Sequence, residues 1–540
     1  MTRLEPGGIA RTFIFSSNLA DDAPHYPAGD YVLDYEGEGT FDFGSNVTVV
    51  SAVPGRQVLR VVPERNGIEI DIVSVNSGNY LRNIHLRMPS DAPADEVFNP
   101  AWLGRIRPFQ AIRFMIWMTG DSSEVFMPRT WADHPEVDDA RWNTKGVPVE
   151  IMVALCNRLG ADPWFSIPHT ADDGYVTQFA QYVAASLDTG LTVYVEHPNE
   201  VWNRSYPHQY GDARTAGDAL GFTPAIQDVP WAEEPLDVAG MRYHAVRSCQ
   251  IGDIFARILG ADRVVCVLAT CTEVPDFSDD MLAFRDTSHS LDPPEVAAHI
   301  DALAIGPYFV IDESINTPQA LLAMGIDGLM NYVQTQSVPD AKRYMARHAA
   351  TAAQHGIPMV AYEGGQGLGT PTFRNTEVDA LIQKANRNPR MRDCYDDYLA
   401  AWESMEVRGG LFNHLEESSR YFDDSCWGAL EYIDQPRSEA PKYDGLMRFI
   451  ERHAARPGME PTVGLGAGSR GYLEVFRGTA RSIRADVASN PSRIPVSGVC
   501  SPSTGGWRGQ IEGSRDGCRG SAPRKLAVAE RPGGGVSPPV

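Results

Sequence analysis

The chain contains no stretch of about 18 apolar residues, the length a helix needs to cross a bilayer, so no membrane span is expected. Its opening residues, MTRLEPGGIARTFIFSSNLADDAPHYPAGD, lack the apolar centre of a secretory leader; the patch TFIFSS is too short, and localisation stays open. Eight cysteines are scattered at positions 156, 249, 266, 271, 394, 426, 500 and 518, and none form C-x-x-C. That excludes a zinc ribbon or thioredoxin-type pair and leaves them reading as small, free, buried hydrophobes. Basic charge is scarce. With 47 Lys and Arg against 70 Asp and Glu, the net charge of −23 argues against nucleic acid as a partner, because phosphates demand a basic surface. No G-x-G-x-x-G follows a run that reads as a strand, and G-x-x-x-x-G-K-[ST], H-x-H and H-E-x-x-H do not occur, so nucleotide-binding and common metal motifs lose their support.

What is present is ordered in three parts along 540 residues. Residues 1–95 read as a β-rich, sandwich-like domain. Between 12 and 88, short β-branched or aromatic runs such as DYVLDYEG, VTVVSAV and GIEIDIV alternate in polarity between Gly, Pro and Asn turns. Residues 96–456 change to strand-then-helix. Continuous apolar runs at 111–117, 163–167, 192–196, 263–268, 301–306, 358–362 and 409–413 suit parallel strands buried on both faces. Helical periodicity fills 148–160, 174–188, 241–259, 341–356, 376–405 and 441–453. This alternation predicts an α/β fold, a (β/α)8 TIM barrel or, less well supported by the polar residues at the strand ends, an open doubly wound sheet. Only seven strand-like runs follow the β-rich part, so the first barrel strand is expected to be missing. Residues 457–540 are rich in Gly, Ser, Pro and Arg; positions 461–540 hold 10 Arg and 1 Lys against 5 acidic residues. They read as a disordered tail.

In a barrel, chemistry sits at the C-terminal ends of the strands. TVYVE is followed by His197, Asn199, Glu200 and Trp202, and PMVAY by Glu363 and two glycines. Two glutamates at the same end of two strands suit glycoside hydrolysis, which needs one carboxyl as proton donor and another as nucleophile or base. Other strand ends offer Arg113 and Trp117, then His169 with Asp172 and Asp173, Tyr308, and His414 with Glu416. A cation or phenol can hold a carboxylate ionised, and an indole face suits a sugar ring. Each also has a plain reading as an interior salt bridge, a helix-end partner or a core aromatic. A catalytic metal held by His and carboxylate groups on the rim is a competing chemistry.

These segments resemble clan A of the glycoside hydrolases, retaining (β/α)8 enzymes whose fourth strand ends in Asn-Glu and whose seventh ends in Glu. The matching segments are YVEHPNEVWN at 194–203 and MVAYEGGQ at 359–366. The resemblance covers roughly 98–455, and W-F-x-I-P-H-x-A-D-D with V-E-x-x-N-E-V-W-N is similar to a group of bacterial cellulase-like proteins. It implies Glu200 as acid/base, Glu363 as nucleophile and Asn199 on the sugar 2-hydroxyl. It further implies Arg113, His169 and Tyr308 around the site; Trp117, Trp202 and His414, read from residue type at the strand ends, are the other expected contacts to a neutral β-linked saccharide, and no metal or organic cofactor is expected.

Two departures stand out. GGLFNHLEES brings Phe412 or His414 where many relatives end their eighth strand in a Trp that floors the sugar site. The β-rich region reads as an insertion after a first strand that would precede residue 1, as in an N-terminally truncated chain whose Arg-heavy tail suits a shifted reading frame. A non-catalytic or decayed carbohydrate-binding barrel and a metal-dependent barrel hydrolase are the alternative functions.

Overall fold

A computed structural model describes residues 10–15, 24–88, 97–118, 128–139, 142, 145–222, 238–371, 373–404, 410–423, 425–454 and 463–466. The N-terminal part forms two antiparallel sheets. One places Ile68–Val75 between Ala10–Ile14 and Gly39–Phe43; the other runs Val47–Val53, Arg56–Val61, Gly29–Glu36, Arg82–Arg87. Alternate residues, among them Tyr31, Leu33, Leu59, Val61, Ile68 and Ile70, meet in their own core, as period-two strands with one wet face require. His25 stacks on Tyr432 at 3.7 Å, tying this unit to the barrel.

Eight parallel strands close a barrel, Ala111–Arg113, Asp162–Ser166, Val193–Glu196, Val264–Ala269, Ala302–Ile305, Met359–Ala361, Phe412–His414 and Val463–Gly466. Strand alternation sorts the side chains. Ala302 and Ala304 face the barrel interior with Ala111, Ala269, Trp164, Val360 and Tyr362, while Leu303, Ile305, Ile112, Met359 and Ala361 face the helices. Four small alanines in the inner layer leave room for Trp164, Tyr362 and the Arg113 side chain, whose guanidinium carbon lies 5.9 Å from the Trp164 ring and 5.0 Å from that of Tyr362.

The helical periods are found at Val149–Leu159, Asp173–Ser186, Ala239–Leu259, Val338–His355 and Pro441–Ala454. The long period at 376–405 is two helices, Thr376–Asn386 and Arg390–Ser404, because Pro389 can donate no helical hydrogen bond and forces the residue before it out of the helix. Pro207–Ala219, Pro275–Ala283 and Pro318–Tyr332 were not legible as helices.

The expectation of a missing strand is overturned. Val463–Gly466, inside the segment read as tail, occupies the gap: Phe412 to His414 pair with Val463 to Leu465, and Gly464 to Gly466 pair with Ala111 to Arg113. The physical reason is that a four-residue extended segment rich in glycine supplies the backbone donors and acceptors that both neighbouring strands need, and composition conceals so short a strand. The stretch 466–471, GAGSRG, therefore does follow a strand with the G-x-G-x-x-G spacing, and its remainder lies outside the described residues. So does the rest of the expected tail from 467 to 540, with Cys500 and Cys518. The other six cysteines are free, five of them buried. Among the described residues no helix is long and apolar enough to cross a membrane.

Candidate active site

The strand Ala111–Arg113 delivers Arg113 to the barrel axis, fully buried. Its Nε donates to Glu196 Oε1 at 3.0 Å and Nη2 donates to the same oxygen; Nη1 donates to Glu363 Oε2 at 3.1 Å and Nη2 to Asn199 Oδ1 at 2.9 Å. A guanidinium is a planar fork that stays charged and can serve several acceptors at once. Arg113 thus binds together the ends of the strands that carry the Asn-Glu motif and Glu363. Glu196 went unnoticed in the sequence. The signal was there: period two puts it on the same inward side as Tyr194, opposite Arg113.

Glu200 closes a short loop after Val193–Glu196 and adopts φ +44°, a left-handed backbone costly for a residue with a Cβ. Gln209, from helix Pro207–Ala219, holds that loop by donating to the Asn199 carbonyl and, at 3.3 Å, to that of Glu200. The Glu200 carboxyl takes two neutral donors, Asn203 Nδ2 on Oε2 at 2.8 Å and the Tyr362 hydroxyl on Oε1 at 3.3 Å.

Glu363 follows Met359–Ala361 and leads into Gly364 and Gly365, the latter at φ +119°. A Cβ on Gly365 would stand 2.7 Å from Tyr395 Oη and 2.8 Å from the His414 ring, so glycine lets the loop lie flat on that pair. Burial first, and the Glu200 charge second, push the Glu363 carboxyl up to about 8, with Arg113 opposing them. Burial raises Glu200 too, against the donors Asn203 and Tyr362. The like charge of Glu200 thus adds to burial in favouring the neutral form of Glu363. Arg113 hydrogen-bonds Glu363 directly and makes no hydrogen bond to Glu200.

The remaining sequence candidates divide. Asn199 is buried beneath Arg113. Tyr308 stands beside Glu363, and its buried hydroxyl makes no hydrogen bond of ordinary geometry. Trp202, partly exposed, lies 6.0 Å from the Tyr362 ring. His169 pairs with Asp212 at 3.2 Å on a cleft of about 560 Å³ lined also by Tyr243, Arg247 and Gln250. Asp172 caps helix Asp173–Ser186 through Tyr175 N and Asp173 pairs with Arg247, so both have structural employment. Among the described residues no group of three or more His, Cys, Asp or Glu is placed to hold a metal.

Two of the expected sugar contacts are packed in the interior. The chain turns into a 3-10 helix at Ile116–Met118, which rolls Trp117 outward into the core against Trp102 and Phe114. His414 is fully buried and its Nε2 meets the Tyr395 hydroxyl at 2.7 Å, so it supports the Glu363 loop. Phe412, too, is buried, among Tyr398 and Trp402. Trp427, partly exposed, meets the Tyr308 ring edge-on at 5.4 Å. Gln366 Nε2 and the buried Lys442 Nζ both donate to the Cys426 carbonyl and pin its loop.

The Arg113 network gives a stability prediction. Arg113→Met would leave Glu196 buried without its cation, and denaturant unfolding should show a loss of about 3–5 kcal/mol, as for other broken buried pairs. Adding Glu196→Gln should recover part of it. An additive loss in the double variant would contradict the pairing.

Fold and site together define a (β/α)8 barrel with an arginine-bound carboxyl cluster at the C-terminal mouth. No protein family matches the chain, and no curated protein does. Among solved structures it is similar to a 4-O-α-L-rhamnosyl-β-D-glucuronidase from Fusarium oxysporum, 11% identical, covering 66% of this chain and 70% of that one, TM-score 0.28. A modular endo-β-1,4-mannanase from Cellulomonas fimi is 10% identical over 68% and 77%, TM-score 0.30. A broad-specificity endoglucanase from Clostridium longisporum is 8% identical over 64% and 97%, TM-score 0.32.

Proposed function

We propose that the chain is a retaining glycoside hydrolase acting on a β-linked oligo- or polysaccharide, with Glu363 as nucleophile and Glu200 as acid/base. The observation that carries this reading is the unequal company of the two carboxyls. Glu363 touches a guanidinium, which favours its anion; Glu200 touches only neutral donors, and burial raises its pKa. In the first step Glu363 attacks the anomeric carbon, the bond to the leaving oxygen breaks, and that oxygen takes the Glu200 proton. In the second, water gives its proton to Glu200 and its oxygen to the anomeric carbon, releasing Glu363 and a sugar of retained configuration. Asn199 would bind the neighbouring 2-hydroxyl, and Trp202 and Trp427 would bear on sugar faces.

The test is a screen of aryl glycosides and β-glucan polymers. On a substrate so found, Glu200→Ala should lose about 10²–10⁴-fold in kcat/KM where the leaving group is a sugar. A nitrophenolate leaving group needs no proton, and there the first step should be spared. An equal loss on both substrates would contradict the role given to Glu200.

A further inference from the structure

Glu200 is held by two donors of different kinds, and the difference has a chemical consequence. Asn203 is fixed in orientation, because its Oδ1 accepts from Ser205 N at 2.9 Å, so the group facing Glu200 Oε2 is the Nδ2 amide. An amide NH2 can donate but not accept. Oε2 therefore cannot hold an acidic proton in that direction without losing its 2.8 Å partner. The Tyr362 hydroxyl on Oε1 can do either: donate to a carboxylate, or turn and accept from a carboxylic acid.

We infer that Tyr362 is a positioning residue for the acid/base: its hydroxyl and the Asn203 amide donate to the two carboxyl oxygens of Glu200, aiming the group and stabilising its ionised form for the step in which it takes a proton from water. This rests on the assignment of Glu200 as acid/base and deepens it. The placement of Tyr362 is built into the barrel. It is 2% exposed, its ring lies under the Arg113 guanidinium, and its hydroxyl occupies space beside Gly306, where a Cβ would stand 2.8 Å from Tyr362 Oη. A core tyrosine with no such role could satisfy its hydroxyl anywhere; this one reaches Glu200 through a gap that only glycine leaves.

Several charged or titratable groups also face Glu200: Arg113 from the Ala111–Arg113 strand, Glu196 from its own strand end, Cys271 and Glu273 after Val264–Ala269, Tyr308 after Ala302–Ile305, and Glu363 beside Tyr362. None of them hydrogen-bonds Glu200 among the described contacts, so removing the Tyr362 hydroxyl isolates one interaction. Tyr362 donates to the ionised form, and its loss should raise the Glu200 pKa.

The experiment is infrared pH-difference spectroscopy on the whole chain, with Glu200→Gln subtracted to assign the Glu200 carboxyl band. Tyr362→Phe should move the midpoint of that band upward by about half to one pH unit. Asn203→Ala should raise it too, and in the double variant the two shifts should add roughly. This reading needs no turnover, so it is separate from the glycosidase assignment: a band that shifts in a protein inactive on every glycoside would keep the clamp and discard the hydrolase. If turnover is found, the alkaline limb of the kcat/KM profile should move up with the band in Tyr362→Phe, with KM little changed. Gly306→Ala, which crowds the hydroxyl, should shift the band in the same direction. A Glu200 band unmoved in Tyr362→Phe, in a variant whose melting temperature shows it folded, would overturn the inference.

Discussion

Glu363→Ala should lose on the order of 10⁴–10⁶-fold in kcat, as removal of a group that acts as part of a catalytic unit does. The loss should be recovered in part by azide, which fits the space left by the carboxyl and attacks the same face of the sugar. The product should then be a glycosyl azide of inverted configuration, because only one displacement has occurred. Arg113 sharpens the expectation. With Glu363 gone its Nη1 loses an acceptor while Glu196 and Asn199 keep theirs, so the site retains its shape and an added anion meets a guanidinium there. Loss of activity with no rescue at any azide concentration, in a folded variant, would count against Glu363 as the nucleophile.

The second large effect concerns the strand that closes the barrel. A chain ending at 458 should unfold far more easily than one ending at 470. The difference is Val463–Gly466, which pairs with Phe412 to His414 on one side and Ala111 to Arg113 on the other. Removing it exposes the backbone of two strand edges. At about 1 kcal/mol for each hydrogen bond forfeited, the loss runs to several kcal/mol. That is a large part of a total stability of about 5–15 kcal/mol. Arg113 sits at one of those edges, so the carboxyl cluster should loosen as the barrel opens. Thermal unfolding of the two truncations would show it, and identical melting temperatures would refute the role of this strand.

The same strand marks where the sequence stops being legible. Seven barrel strands announced themselves as β-branched or aromatic runs, because burial on both faces demands apolar side chains at every position. Val463–Gly466 has only Val463 and Leu465 to show, and glycines elsewhere, within a segment whose Gly, Ser and Arg content reads as disorder. Its worth lies in backbone hydrogen bonds, which leave no trace in composition. Glu200 and Glu363 were legible because each follows a buried strand at the same end of the barrel. Glu196, Asn203 and Tyr362 were not, since their importance comes from which side chain they face. Trp117 misled for the converse reason: its place after a strand suggested the mouth, but the strand ends at Arg113 and the following turn carries the indole into the core. Trp427 lies 13 residues beyond His414, too far along the chain for a strand-end rule to find.

The central claim is that Glu363 becomes bonded to the sugar while Glu200 gives its proton to the leaving oxygen. The measurement that reaches it most directly is mass spectrometry of the peptide containing Glu363, after incubation with a 2-deoxy-2-fluoro glycoside matched to the substrate found in the screen. The fluorine slows both steps and a good leaving group restores the first, so the intermediate accumulates. The expected result is one glycosyl adduct, on Glu363, formed in wild type and also in Glu200→Ala. Turnover of the parent substrate with inversion, or an adduct on any other residue, would contradict the account.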